Sequence, residues 1–291
     1  VPMVISLSGG IDSASIYCAI NKYLPSQNLT AVTYEHLSES TSELSLVKSL
    51  VKLFGGNLEI VRGDVIVDEF ELKRSIKSVE YPIWGPSSVA FNDFYRGVKA
   101  LGFTCVLEGH GSDELFGGYP HFIEELVMEV LGSGKLFKAH RLYKLYKLTV
   151  NESVGNTHTF FWNMLLRSLI RRHKFRSEVN RSFERDILPV VLRCFDRVTM
   201  YNSLESRSPF LDFRLVELIR NAPNDFVLSE EGTKRPLRDF LRSCGCHDIA
   251  NRKLKTGFGL DRNMLEIKID DWNKYVIDFF KSKYQASVNE R

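Results

Sequence analysis

The sequence contains no apolar run of the roughly eighteen residues that a membrane-spanning helix needs, and no signal-peptide pattern at its start. It also lacks low-complexity tracts and internal repeats, which argues against a disordered, fibrous or solenoid protein. Its formal net charge of +3 is too small to indicate a nucleic acid or a membrane surface as the partner. These absences favour a folded protein that acts on smaller molecules.

Cysteines are few, and their odd number argues against a complete disulfide framework. The five are Cys18, Cys105, Cys194, Cys244 and Cys246. Most lie in apolar segments, which is typical of reduced thiols in a cytoplasmic protein. Cys244 and Cys246 precede His247, but no second cluster stands at zinc-site spacing, so the metal-site signal is weak. We therefore expect a cytoplasmic protein whose chemistry does not depend on its thiols.

The composition, with 44% hydrophobic and 26% charged residues in 291, is that of an ordinary enzyme with a sizeable core. Positive charge is concentrated between Lys135 and Arg185, where twelve lysines and arginines face three acids. We interpret this stretch as solvated helix faces; the alternative is a surface for an acidic or extended partner.

Short apolar runs alternate with segments of helical period in the first third of the chain. The candidate strands are Val4 to Leu7, Leu29 to Tyr34, Leu58 to Val61 and Thr104 to Glu108. Ser40 and Glu43 stand at capping-box spacing before a helix that Gly55-Gly56 would end. This alternation predicts an α/β fold, a parallel sheet with flanking helices.

Beyond about residue 121 the strand signals fade, and apolar residues recur at helical spacing. We therefore predict a nucleotide-binding parallel-sheet portion over 1–125 and a mainly helical portion over 126–291. Val1 already belongs to the first strand, so we expect the chain to be a fragment or to lack an N-terminal portion.

A glycine loop with the sequence Ser-Gly-Gly-Ile-Asp-Ser, Ser8 to Ser13, follows the first strand and opens a helix. Its glycines let successive N–H groups point inward, and the helix N-terminus and the two serine hydroxyls add to an anion site. The alternative is a glycine turn with a capping serine. Neither the Walker sequence nor the dinucleotide fingerprint is present. The loop predicts a pyrophosphate site.

A second motif, Glu108 to Tyr119, reads Glu-Gly-His-Gly-Ser-Asp-Glu-Leu-Phe-Gly-Gly-Tyr and begins at the carboxyl end of a predicted strand. Open parallel sheets bind ligands at that edge, and the glycines let a nucleotide approach the backbone. Asp113 is suited to hold Mg²⁺, which prefers carboxylate oxygens. Asp113 and Glu114 could instead only charge a helix N-terminus, but the flanking glycines favour the nucleotide site.

Three further motifs follow in order. They are Asp196 to Asp212, Lys234 to Arg238, and Lys255 to Gly259. Together with the two loops they resemble the synthetase domain of the asparagine synthetase family, whose relatives include beta-lactam synthetases and lasso-peptide cyclases. The glycine loop is similar to that of ATP pyrophosphatases, which implies an adenine nucleotide alpha-hydrolase-like fold of the pyrophosphate-loop type. The resemblance runs over almost the whole chain.

The resemblance implies an ATP-dependent carbon-nitrogen ligase that forms an acyl-adenylate with ATP and Mg²⁺. The implied residues for ATP and pyrophosphate are Leu7, Ser8, Gly9, Gly10, Asp12, Ser13, Thr33 and Gly109. Asp12 and Asp113 would be the magnesium ligands. Lys255 would stabilise negative charge on the adenylate, and Glu205 matches the acid that orients the catalytic tyrosine of beta-lactam synthetases.

The sequence departs from the family pattern at two positions of the second motif. His110 replaces a glutamate or tyrosine, and Glu108 replaces a serine. A histidine is a capable base for an amine nucleophile, and we predict that His110 is catalytic and could pair with Glu205; the alternative is that it fills space or caps a turn. This change puts ammonia in doubt as the amine.

A glutaminase-type half is absent from this chain, and it could lie upstream or in another chain. The substrates would be a small-molecule or peptide carboxylate and an amine donor, and nucleic acid is not expected. Asparagine formation competes with macrolactam or other amide formation. The alternative from another class is a nucleotide-binding module without catalysis.

Overall fold

A computed structural model describes residues 1–27, 29–36, 43–63, 68–80, 87–150, 157–170, 174–252, 274, 276–279 and 281. Its centre is a parallel sheet of five strands in the order β3-β2-β1-β4-β5. The strands are β1 Met3–Ser6, β2 Thr30–His36, β3 Leu58–Gly63, β4 Cys105–Leu107 and β5 Glu205–Arg207. The predicted α/β class and the first four strands are confirmed, with bounds that differ by one or two residues.

The fifth strand was not predicted. It has only three residues, Glu-Ser-Arg, and lies at the edge of the sheet beside β4, with Cys105 opposite Glu205. A short polar strand has no apolar run that could reveal it, since its backbone pairing and not its side chains places it in the sheet.

The described α-helices between β1 and β4 are α1 Ile11–Tyr23, α2 Leu44–Phe54, α3 Glu69–Val79 and α4 Ser87–Ala100. The predicted helix after Glu43 is confirmed, and Gly55 ends it in the left-handed conformation, at φ 66°. Ser40 of the predicted capping box lies outside the described residues.

The described chain beyond β4 is mainly helical, as predicted for residues 126–291. Its helices are α5 Ser112–Leu115, α6 Pro120–Gly132, α7 Leu136–Val150, α8 Thr157–Ile170, α9 Phe175–Arg181, α10 Leu188–Tyr201, α11 Phe213–Asn221, α12 Asn224–Val227, α13 Arg235–Ser243 and α14 His247–Ala250. A two-stranded antiparallel ribbon, β6 Leu228–Ser229 with β7 Gly232–Thr233, precedes α13. None of the described helices is long and apolar enough to cross a membrane.

Two hydrophobic clusters cover the two faces of the sheet. Val4 and Ile5 are neighbours on β1 and are both fully buried, yet they belong to different clusters because successive strand residues point to opposite faces. The cluster around Ile5 also contains Phe122 and Leu241, far apart in sequence. Both parts of the chain therefore share one core and one sheet, and the boundary at residue 125 stays a prediction.

Candidate functional site

The predicted phosphate loop connects β1 to the N-terminus of α1. Gly9 has a φ of 68°, a conformation that favours glycine, and Gly10 is the N-cap of α1. The backbone N–H of Ser8 donates to the Ser13 hydroxyl at 3.2 Å, and the two serine hydroxyls lie 3.2 Å apart. A helix N-terminus with two hydroxyls beside it is an anion site.

The phosphate loop is held by Arg252, a residue that follows α14. Arg252 donates from Nη1 to the Gly9 carbonyl at 3.1 Å and forms an ion pair with Glu43 at 2.7 Å. This arginine ties α2 and the loop after α14 to the glycine turn, so the shape of the turn depends on residues that are distant in sequence.

Three charged side chains meet beside the phosphate loop, and we call Asp12, Asp113 and Lys234 the acid–lysine cluster. The Lys234 ammonium lies 2.7 Å from both Asp12 oxygens and 2.7 Å from Asp113 Oδ1. Its side chain is only 6% exposed. Burial works to lower the pKa of Lys234, but Asp113 and Asp12 more than offset this and raise the pKa to about 12. With all three groups ionised, the cluster has a net charge of −1.

Close backbone approaches make the acid–lysine cluster possible. A side chain on Gly118 would collide with Asp113 and with the Lys234 stem, and a Cβ on Gly109 would stand 2.8 Å from that of Asp12. Lys234 itself has a φ of 55°, which costs a non-glycine residue about 1 kcal/mol. The sequence placed Lys234 in a family motif but gave it no role, because no local pattern reveals a contact with Asp12, 222 positions away.

A second buried group lies behind His110, and we call Glu108, His110, Tyr95 and Ser206 the glutamate–histidine cluster. Tyr95 and Ser206 each donate a hydroxyl hydrogen bond of 2.5 Å to Glu108, one to Oε1 and the other to Oε2. His110 Nε2 lies 3.2 Å from Glu108 Oε2, within ion-pair distance. The His110 ring also packs against Phe195, with ring centroids 4.1 Å apart.

Opposing effects set the charge of this pair. Burial works to lower the pKa of His110, but the Glu108 carboxylate outweighs burial and leaves that pKa raised above 6.5. Burial works to raise the pKa of Glu108, but His110 and the hydrogen bonds from Ser206 and Tyr95 leave it lowered. Each group thus favours the charged form of the other.

The predicted pairing of His110 with Glu205 is wrong. Glu205 is the first residue of β5 and so lies at the amino edge of the sheet, whereas His110 follows the carboxyl end of β4. The Glu205 side chain is 55% exposed and accepts a hydrogen bond from Arg207 at 2.7 Å. The resemblance supplied an acid in sequence order, but strand direction places it at the opposite edge from His110.

Three of the remaining predicted residues, Leu7, Thr33 and Gly109, lie in the described part of the chain. Leu7 directly follows β1 and Thr33 lies in the middle of β2; both are buried, and Gly109 lies against the start of α1. Lys255 lies outside the described residues. The structure thus brings the phosphate loop, Asp12, Asp113 and Gly109 together at one edge of the sheet, and their predicted roles stay predictions.

A cleft of about 630 Å³ opens beside His110. Its walls come from α10, β5 and the segment after β5, and the charged or polar residues among them are Arg193, Asp196, Arg197, Ser206 and Ser208. Arg197 also pairs with Glu80 at 2.6 Å. The cleft offers both signs of charge next to the imidazole, so it suits a polar organic group.

The two carboxylates of the acid–lysine cluster provide a partial set of metal ligands. Across the described part of the chain, no three or more histidine, cysteine, aspartate or glutamate side chains come together to hold a metal ion. Mg²⁺ commonly takes one or two carboxylates and completes its shell with substrate phosphates and water. Asp12 and Asp113 at a phosphate loop therefore fit a magnesium ion that arrives with a nucleotide.

Comparison with known proteins agrees with this geometry. The family model described as asparagine synthase matches residues 1–287. Asparagine synthetase [glutamine-hydrolyzing] 1 of Bacillus subtilis (strain 168) is 25% identical over an alignment 322 positions long, which covers 95% of this chain and 49% of that protein. Asparagine synthetase [glutamine-hydrolyzing] 3 of the same bacterium is 25% identical over 87% of this chain and 44% of its own length.

A fungal protein is also similar. Amidase chyE of Penicillium rubens is 22% identical over 82% of this chain and 45% of its own length. The chain spans about half the length of these curated relatives. Because the family model covers nearly every residue, the predicted family is confirmed: this chain belongs to the asparagine synthase family.

Proposed function

We propose that this chain joins a carboxylate to an amine at the expense of ATP, through an acyl-adenylate, with release of pyrophosphate and AMP. The observation that carries the proposal is the acid–lysine cluster at the mouth of the phosphate loop. Two partly buried carboxylates, one buried ammonium and a helix N-terminus are the groups that a magnesium-bound triphosphate requires.

In the first step, a carboxylate oxygen attacks the α-phosphorus of ATP and pyrophosphate leaves. Ser8, Gly9, Gly10 and Ser13 bind the pyrophosphate through N–H and hydroxyl donors, and Lys234 adds a positive charge. Leu7, Thr33 and Gly109 line the AMP moiety. Mg²⁺, held by Asp12 and Asp113, would neutralise phosphate charge in this step. Lys255 supplies a further cation to the adenylate in this proposal.

In the second step, the amine nitrogen attacks the acyl carbon, AMP leaves, and the amine loses one proton. His110 is the proposed acceptor of that proton, since it borders both the nucleotide motif and the cleft. A cleft of about 630 Å³ is far larger than ammonia needs, which favours an organic amine or carboxylate beside His110. This observation supports macrolactam or other amide formation as the second candidate function.

The relatives' names suggest a partner. Those found in Bacillus subtilis are glutamine-hydrolysing asparagine synthetases about twice the length of this chain. We include a glutaminase domain, upstream or in another chain, as a proposed source of ammonia if aspartate is the carboxylate.

The test is to incubate the protein with ATP, Mg²⁺ and candidate carboxylates and to measure pyrophosphate and AMP with and without an amine. Aspartate and a peptide with an acidic side chain are the first two candidates. Release that depends on aspartate assigns asparagine formation, and release that depends on the peptide assigns a cyclase.

The control separates catalysis from binding. If ATP binds in equilibrium dialysis but no carboxylate elicits pyrophosphate, the proposal is wrong and the chain is a nucleotide-binding module. A matched Asp113→Asn variant should lose any genuine pyrophosphate release, so release that persists in this variant would come from a contaminant or a different site.

A further inference from the structure

Glu108 is the centre of the buried glutamate–histidine cluster. Its side chain is 6% exposed, and both of its oxygens accept hydrogen bonds from hydroxyl donors, Tyr95 and Ser206. A carboxyl group that only accepts is ionised. The cluster therefore contains a buried negative charge, which needs a nearby positive charge to be stable.

His110 is the group that supplies the positive charge. Among the described residues, the Glu108 carboxyl group has Tyr95, Ser206 and His110 as side-chain partners, and no lysine or arginine side chain forms an ion pair with it. The raised pKa of His110 and the lowered pKa of Glu108 agree with this charge assignment. The pair is thus an ion pair within the fold and not two independent side chains.

The pair also fixes the orientation of the imidazole. Nε2 faces Glu108 at 3.2 Å, and Phe195 covers the ring at a centroid distance of 4.1 Å. The other nitrogen, Nδ1, is the one left for a partner outside the cluster. Because Nε2 is buried and His110 lines the cleft, Nδ1 is the ring nitrogen left for a substrate there.

We propose that Glu108 is a positioning residue that holds His110 by Nε2, so that Nδ1 accepts the proton released when the amine is acylated. This inference rests on the proposed function. In the step, the amine nitrogen bonds to the acyl carbon, the bond from that carbon to the adenylate oxygen breaks, and AMP leaves with the electron pair. Before the step the imidazole is neutral, with its proton on Nε2. The proton then moves from the amine nitrogen to Nδ1, and the Glu108 carboxylate stabilises the imidazolium that forms.

Other charged or titratable groups surround His110 and remain when Glu108 is changed. They are Asp12 on α1, Glu114 on α5, Tyr95 on α4, and Arg193, Asp196 and Arg197 on α10. Glu108→Gln keeps the shape of the side chain and removes one charge, so its effect isolates the carboxylate.

The first measurement is a ¹⁵N titration of the histidine rings by NMR, with the His110 signal identified by its loss in His110→Gln. In the wild type, His110 should titrate above 6.5 and, when neutral, keep its proton on Nε2. In Glu108→Gln, its midpoint should move to lower pH, because burial remains and the carboxylate is gone. Glu59→Gln, an exposed change on β3, is the matched control and should leave the midpoint in place.

The second measurement is the pH profile of single-turnover amide formation from the preformed adenylate. Glu108→Gln should shift the acidic limb to lower pH and reduce the maximal rate by about 10-fold to 100-fold. Pyrophosphate release should change little. A purely structural role would instead lower both half-reactions together and leave the acidic limb in place, and that result would overturn the proposal.

The two measurements separate this proposal from the proposed function. If the wild-type protein makes no adenylate, the proposed function fails, yet the ¹⁵N titration still reports the pairing. If Glu108→Gln does not fold, the wild-type titration alone decides, since a neutral ring with its proton on Nδ1 contradicts the proposed orientation.

Discussion

The site contains two charge clusters, and both include residues of the motif Glu108 to Tyr119. They differ in the ratio of negative to positive groups. The acid–lysine cluster has two carboxylates for one ammonium, whereas the glutamate–histidine cluster has one carboxylate for one imidazolium. An excess of negative charge attracts a further cation, while a balanced pair only orients its members. The first cluster therefore suits binding of a metal-bound nucleotide, and the second suits proton transfer.

The largest effect is expected from Lys234→Met, which leaves two partly buried carboxylates without the buried ammonium that they share. Removing one partner of a buried ion pair costs about 3 to 5 kcal/mol of folding stability. Pyrophosphate release should also fall by about 100-fold or more, since a cation at the phosphates is lost. Urea denaturation and a single-turnover pyrophosphate assay measure the two losses. Unchanged stability would mean that the acid–lysine cluster is not formed in solution.

Asp113→Asn should abolish measurable pyrophosphate release while leaving the fold intact. The amide keeps the size of the side chain but removes one proposed magnesium ligand and one charge beside Lys234. Far-ultraviolet circular dichroism and the pyrophosphate assay test this together. Turnover near the wild-type level would remove Asp113 from the proposed metal site.

Gly118→Ala should break one cluster and spare the other. Its Cβ collides with Asp113 and with the Lys234 stem, but Gly118 makes no such contact with Glu108 or His110. We expect loss of ATP binding by about 10-fold to 100-fold, in line with a misplaced binding group. The ¹⁵N titration of His110 should stay at its wild-type position. A joint change in both clusters would show that they act as one unit.

The pH dependence of stability should report the balanced pair. His110 has a raised pKa in the folded state, so its contribution is complete below about 6.5 and is lost as pH rises through the folded-state pKa. The difference in unfolding free energy between the wild type and His110→Gln should therefore be larger at pH 6 than at pH 9. Urea denaturation at both values measures it, and an equal difference would contradict the pairing.

The smallest effect is expected from Glu205→Gln. Among the described residues this exposed side chain pairs with its neighbour Arg207, and exposed ion pairs contribute little to stability. Stability and the His110 titration should remain close to those of the wild type. A displaced titration would favour the pairing implied by the family resemblance over the one in the structure.

The sequence predicted most of the sheet because parallel strands are buried on both faces and appear as apolar runs, as in Val4 to Leu7. It predicted the phosphate loop because glycines and serines between a strand and a helix have a local meaning. It missed β5, whose three residues are polar, and it missed the contact of Lys234 with the two acids. Both depend on long-range pairing, which no local pattern contains.

Glu108 shows a different limit of prediction. The sequence identified Glu108 as a departure from the family, but the family resemblance assigned Glu205 and not Glu108 as the partner of His110. Strand direction decides which acid lies beside His110, and the direction and pairing of β5 became known only from the structure.

The contact of Lys234 with Asp12 has a consequence for the order of biosynthesis. Its two residues are separated by 222 positions, and Arg252, which braces Gly9, is further still along the chain. A ribosome-bound intermediate that has made β1 to β4 and α5 contains both acids but still lacks the ammonium between them. Under the proposed function, nucleotide affinity is therefore acquired late, and ATP would stabilise only molecules in which Lys234 has already reached the two acids.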